Sequence, residues 1–209
     1  MRITGLEADP KGGIAVMVDG EPLGSVSTAA AVELGLQVGE ELDEERAARL
    51  RLEVETESAF LRALRWLAVH PRSRRELEIR LQRAGWTKEA AERALARLER
   101  FGYVDDLGVA RRLLEERGRE WGPVRLRQEL RKRGIPAPVI EEALAAAELP
   151  AEESVALELG RQRWLRYQGE AAEVRRRRVA DFLRRRGFGW EVVERTLARL
   201  DSDFRRLLN

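Results

Sequence analysis

Apolar residues fall into one spacing three times along the chain: Leu77-x-x-x-Leu81-x-x-x-Gly85-Trp86, Leu126-x-x-x-Leu130-x-x-x-Gly134-Ile135 and Val179-x-x-x-Leu183-x-x-x-Gly187-Phe188. Pairs four apart put both apolar side chains on one face of a helix. Beyond each glycine come two further small or apolar pairs, Ala90/Ala91 with Ala94/Leu95, Val139/Ile140 with Ala143/Leu144, and Val192/Val193 with Thr196/Leu197, at helical spacing. Each glycine then reads as the residue just past a helix, in the left-handed conformation. The next residue packs back on the helix: Trp86 on Leu81, Ile135 on Leu130 and Phe188 on Leu183. A unit recurring at about 50 residues predicts a helical repeat array, an architecture that presents an extended binding surface. First helices of the units are expected at 59–69, 107–118 and about 153–168.

The N-terminal stretch has a different period. Arg2–Glu7 and Ile14–Val18 alternate like strands around the turn residues Asp9-Pro10-Lys11-Gly12-Gly13, and Asp19-Gly20 signals a hairpin into a third strand near Leu23–Val26. Ser27 or Thr28 can cap a short helix that stops at Gly35. Asp43 then caps a long helical stretch, bent near Val54–Ser58, that His70-Pro71 ends. Ser73 with Glu76 forms a capping box for the next helix. The fold class is therefore mainly α, with a small β-containing domain in front. Residues 1–42 are the sheet domain and 43–58 a linking helix. Three-helix repeats follow at 59–106, 107–152 and 153–209.

Charge divides along the same line. The net charge is only +2, yet residues 1–58 hold 5 Lys/Arg against 13 Asp/Glu, and the rest holds 34 against 24. GC-rich coding or heat adaptation can raise arginine generally, but neither would spare the first 58 residues. With 36% charged and 6% aromatic residues over 209 positions, the cores must be thin. No run is apolar and long enough to span a membrane and no secretion signal opens the chain, so a cytoplasmic protein is expected. The absence of cysteine excludes disulfides and thiolate chemistry.

Catalytic motifs are missing: no H-E-x-x-H, G-x-S-x-G, Walker loop or G-x-G-x-x-G. His70, the sole histidine, reads as a helix terminator. The acidic pairs Glu115/Glu116 and Glu141/Glu142 read as solvated helix faces. The chain is expected to be non-enzymatic, without cofactor or metal.

What remains is the basic surface of the middle helices, Arg72–Arg83, Arg125–Arg133 and Arg175–Arg186. Two residues before each repeat glycine stand Arg83, Lys132 and Arg185. Arg125 and Arg178 lie two helical turns earlier on the same flank, while Glu76 breaks the pattern in the first copy. The opposite flank collects Arg75, Arg127, Arg131, Arg177 and Arg184, and Arg74 adjoins it. Such a row suits a phosphate backbone or an acidic protein groove; the competing reading is a solvated face of i,i+4 ion pairs. Trp66 and Trp86 fall at core positions, whereas Trp121 and Trp190 lie at helix junctions.

Several segments are worded like a known family. Arg72-Ser73-Arg74-Arg75-Glu76-Leu77 with Gly102-Tyr103-Val104-Asp105-Asp106 resembles the first unit of the RecX family. The run Gly122-Pro123-Val124-Arg125-Leu126-Arg127-Gln128-Glu129-Leu130-Arg131-Lys132-Arg133-Gly134-Ile135 resembles its central signature, and Phe182–Phe188 is similar to its third unit. The match covers about residues 59–200 in order. The resemblance implies tandem three-helix repeats in a curved, elongated monomer. It also implies a modulator of the RecA recombinase that lies in the groove of the RecA–DNA filament and limits strand exchange and ATP hydrolysis. Some members also bind single- or double-stranded DNA. The basic middle helices are where such contacts carry over.

The chain departs from the family at His70-Pro71, in place of a basic or aromatic lead-in, and in its acidic N-terminus, which only part of the family has. That N-terminus is expected to dock on a basic partner surface or to shield the chain's own basic face. Two other readings compete: a DNA-binding repeat protein or transcriptional repressor without RecA contact, and an adaptor for another acidic protein.

Overall fold

A computed structural model describes residues 1–10 and 12–205 in full, and the helical backbone to 208. Strands β1 (Ile3–Ala8), β2 (Ile14–Val18) and β3 (Glu21–Val26) form an antiparallel meander in chain order. The β2–β3 hairpin turns on Asp19 and Gly20, both with positive φ, as the right-handed strand twist prefers. The short helix α1 (Thr28–Glu33) is capped by Ser27, whose hydroxyl accepts from the Ala30 N–H.

Helix α2 runs unbroken from Glu44 to Val69, and Asp43 caps it through the Arg46 N–H. The linker expected at 43–58 and the first helix of the first repeat are thus one element. Its N-terminal half supplies Ala47 and Leu50 to the core under the sheet, with Ile3, Val16 and Val26. Its C-terminal half supplies Ala59, Phe60 and Ala63 to the first repeat. Sheet and first repeat accordingly share one compact unit, Met1–Asp105, and a second unit begins at Asp106. The bend expected near Val54–Ser58 does not interrupt the helix, which serves both cores.

The remaining helices follow the predicted repeats. They are α3 (Arg74–Arg83) and α4 (Lys88–Arg100), then α5 (Asp106–Arg117), α6 (Pro123–Lys132) and α7 (Ala137–Ala146), then α8 (Glu152–Arg166), α9 (Ala172–Arg185) and α10 (Trp190–Leu208). Leu77 and Leu81, Leu126 and Leu130, and Val179 and Leu183 are all buried. The repeat glycines have φ of 102°, 74° and 87° at Gly85, Gly134 and Gly187. After each, the apolar residue's N–H donates back across the turn: Trp86 to the Leu81 carbonyl at 3.3 Å, Ile135 to Leu130 at 3.2 Å and Phe188 to Leu183 at 3.2 Å. This is the hydrogen bond of a Schellman end, which satisfies carbonyls that the helix itself leaves open.

Three glutamates in the middle of α2 meet α4. Glu53 pairs with Arg93 at 2.7 Å, Glu55 accepts from the Thr87 N–H and hydroxyl at the start of α4, and Glu57 pairs with Arg97. These three carboxylates are engaged in joining α2 to α4. Glu57 is only 4% exposed, and the Arg97 guanidinium carbon also lies 3.9 Å from the Phe60 ring centroid. Arg97→Ala leaves a buried carboxylate unpaired and is expected to cost about 3 kcal/mol in urea unfolding. The double change Glu57→Gln/Arg97→Met should recover most of that loss. A single variant within about 0.5 kcal/mol of the parent would show that the pair is not structural.

Candidate partner-binding surface

The predicted cations separate into those held internally and those left open. Arg74 pairs with Glu92, and with Glu99 at 2.9 Å, both on α4. Partial burial lowers its pKa, but the charges of Glu99 and Glu92 outweigh that and raise it above the ordinary value. Arg75 meets Glu78 at 2.7 Å. Arg127 makes two 3.0 Å bonds to Glu141 on α7, which raise the arginine's pKa and lower the carboxylate's. Arg178 reaches Glu170 at 2.7 Å. All four are thus held by carboxylates: Arg75 along its own helix, and Arg74, Arg127 and Arg178 by acids that other segments bring to them.

Arg125 belongs to a joint between the second and third repeats. There the C-terminal carbonyls of α9 meet the N-terminal donors of α6. The Gly122 N–H donates to Arg186 O at 2.8 Å, the Val124 N–H to Gly187 O at 3.2 Å, and Arg125 Nη1 to Arg185 O at 3.1 Å. The open acceptors of one helix end are thereby matched to the open donors of another, with the two helix dipoles in attraction. Gly122 provides no side-chain cap, and Pro123 after it has no N–H to satisfy. The Arg125 guanidinium also lies 4.3 Å from the Trp121 ring centroid, and Arg186 donates to Glu120 O at 3.3 Å. Much of the Gly122–Arg125 signature therefore builds the molecule.

The open cations gather at the C-terminal ends of the middle helices. Arg83, Arg131, Arg184 and Arg185 are exposed and have no carboxylate within ion-pair distance among the described residues. Lys132 is 76% exposed and reaches Glu129 only at 3.9 Å. Arg177 is likewise exposed and unpaired among the described residues. The positions three and two before the glycine thus hold Arg131/Lys132 and Arg184/Arg185, with Gln82/Arg83 in the first copy. Their i+4 neighbours lie past the helix end, so the usual acid partner from that side is missing. Cations also complement the helix dipole here, which makes the placement favourable for the fold as well. Trp190, 56% exposed, lies beside them, with Arg184 at 5.9 Å from its ring centroid.

Sequence reasoning passed over another cluster, Arg62 and Arg80 on the Trp66 ring, with exposed Arg65 one turn from Arg62. Only half of its signal lies in the sequence, Arg62 and Trp66 at i and i+4 of one helix; Arg80 comes from another. Trp66 and Trp86 are only half-buried, at the edge of the first core, with ring centroids 6.5 Å apart.

Glu53 and Glu57 line a cleft of about 640 Å³ beside the sheet, and both are paired with arginine. Glu116 is held below the usual carboxylate range by its hydrogen bond from Arg112. No group of three or more potential metal ligands occurs among the described residues, and no described helix is long and apolar enough to cross a membrane. His70 is an exposed helix terminator.

Fold and surface together define a class: a tandem three-helix-repeat protein with open cations recurring at the same point of each unit. Known proteins of that class match in order. The first, second and third three-helix domains of RecX match residues 59–98, 105–144 and 151–197. A regulatory protein RecX of Prosthecochloris aestuarii is 32% identical over 148 residues, covering 70% of this chain and 95% of that protein. One of Thermus thermophilus is 40% identical over 130 residues, covering 62% of this chain and 83% of that protein. A crystal structure of a regulatory protein RecX superposes with a TM-score of 0.77 at 26% identity, covering 92% of this chain and 97% of that one. The chain belongs to the RecX family of regulatory proteins.

Proposed function

We propose that this protein regulates the RecA recombinase by binding the groove of the RecA–DNA filament, chiefly limiting ATP hydrolysis, strand exchange and recombination. It acts without chemistry of its own, as a monomer. Each three-helix unit, 59–106, 107–152 and 153–209, presents cations at the end of its middle helix, and Arg177 adds one earlier on α9. Arg83, Arg131, Lys132, Arg177, Arg184 and Arg185 are the contacts to acidic RecA side chains and DNA phosphates. Contacts that are weak singly add through effective concentration when they recur along one chain.

The observation that carries this reading is the contrast in partners. Arg74, Arg75, Arg127 and Arg178 are held by carboxylates, while the recurring positions before the repeat glycines stay open. Family membership supplies the regulatory role. Titration into RecA's DNA-dependent ATPase and strand-exchange reactions should inhibit both at about stoichiometric ratios, with steep relief by salt. Unchanged RecA activity, at salt where both proteins bind DNA, would refute the assignment; salt-steep binding to DNA alone would then favour the repressor reading.

A further inference from the structure

The arginine cluster of the first repeat joins α2 to α3 and includes none of Arg83, Arg131, Lys132, Arg177, Arg184 and Arg185. Arg62 and Trp66 stand one turn apart on α2, Arg65 precedes Trp66, and Arg80 comes from α3. The guanidinium carbons of Arg62 and Arg80 lie 5.3 Å and 4.7 Å from the Trp66 ring centroid. All three arginines are exposed, and none has a carboxylate partner among the described residues. The acid best placed to pair with Arg80, Glu76 one turn earlier, accepts from the Ser73 N–H at 2.9 Å in the capping box. Elsewhere in the same unit arginines are matched to acids: Arg74 to Glu92 and Glu99, and Arg93 to Glu53 and Glu89.

An indole holds a guanidinium by its π-face and leaves the N–H donors unsatisfied by protein. Two guanidiniums kept in place this way lose less rotamer freedom on binding than free side chains would. The ligand that fits is an anion repeated along a chain, with planar groups able to stack on guanidinium or indole. We infer that Arg62 and Arg80 on Trp66, with exposed Arg65 one turn along α2 from Arg62, form a nucleic-acid site on the first repeat that grips the phosphate backbone of a strand. Carboxylates of an acidic protein offer the charge but not the stacking planes, so nucleic acid is the better match.

The test uses the full chain without RecA. Fluorescence anisotropy with a labelled 20-mer of deoxythymidine, and with a 20-base-pair duplex, is followed against salt. For single strands each neutralised phosphate adds about 0.7 to the slope of log K on log salt. Arg62→Gln/Arg65→Gln/Arg80→Gln should lower that slope by about 2 and weaken binding at least tenfold at about 0.1 M salt, with circular dichroism unchanged. The duplex arm shows whether a base-paired backbone is gripped as well: the same loss there assigns the site to phosphates alone, and a loss confined to the 20-mer assigns it to strand and bases together. Trp66→Phe keeps a ring under the guanidiniums and should retain most of the affinity. Equal slopes for parent and triple variant would overturn the inference. So would poly-glutamate displacing the 20-mer from the parent while the triple variant bound the 20-mer unchanged.

Discussion

Alanine at Gly187 is expected to destabilise the protein by at least about 3 kcal/mol, and alanine at Gly85 by only about 1 kcal/mol. Both glycines end a middle helix with positive φ, so both substitutions meet the same backbone strain. They differ in what a new Cβ would touch. At Gly85 nothing lies within 4 Å, whereas at Gly187 the Cβ would overlap Arg125, whose Cα is 2.9 Å away. At Gly122 a Cβ would stand 2.5 Å from the Gly187 carbonyl carbon and 2.7 Å from the Phe188 nitrogen. Backbone cannot step aside there without breaking the hydrogen bonds from Gly122 and Val124 to the end of α9, each worth about 1 kcal/mol. Gly122→Ala should therefore fall with Gly187→Ala, each lowering Tm by about 10–20 °C, while Gly85→Ala shifts it by a few degrees. Thermal unfolding followed by circular dichroism measures all three. Similar melting for the three variants would mean that the α6–α9 joint adds nothing to stability.

Neutralising Arg131, Lys132, Arg184 and Arg185 together, each to Gln, is expected to weaken filament binding by about a hundredfold or more. Charged contacts along a single surface act together, and this change removes the open pairs from two of the three units. The corresponding change at Arg74, Arg75, Arg127 and Arg178 should instead alter stability with little change in binding per folded molecule. Those side chains already have carboxylate partners. Loss of helix-dipole complementarity costs the first variant only a few tenths of a kcal/mol per residue, so its melting should stay close to the parent. Co-sedimentation with RecA–DNA filaments, read beside thermal melts, separates the two sets. Equal binding by the first variant would move the contact surface away from the middle-helix ends.

The contrast between open and held side chains also marks how far reading residues in order could go. Period and punctuation were enough for the repeats. Leu–x₃–Leu pairs ended by glycine and an apolar residue are local patterns, and helix ends of this type are built within about six residues. Charge was readable as an excess but not as an availability. Arg127 and Arg131 sit one turn apart on the same flank, yet only Arg127 meets Glu141, which α7 brings across. Arg125 looked like a binding residue because its side chain is basic; the carbonyl of Arg185, 60 positions away, makes it part of a joint. The cluster at Trp66 was passed over because Arg80 reaches it from another helix.

By itself, then, the sequence determined the helical repeats, the hairpin and sheet at the front, the helix caps and the family, because all of these rest on patterns within a turn or two of chain. Tertiary structure decided that α2 is one helix serving two cores, that its Glu53, Glu55 and Glu57 meet α4, and which arginines remain open to a partner. The physical reason is that a guanidinium's availability depends on carboxylates, carbonyls and rings that packing brings to it from distant segments.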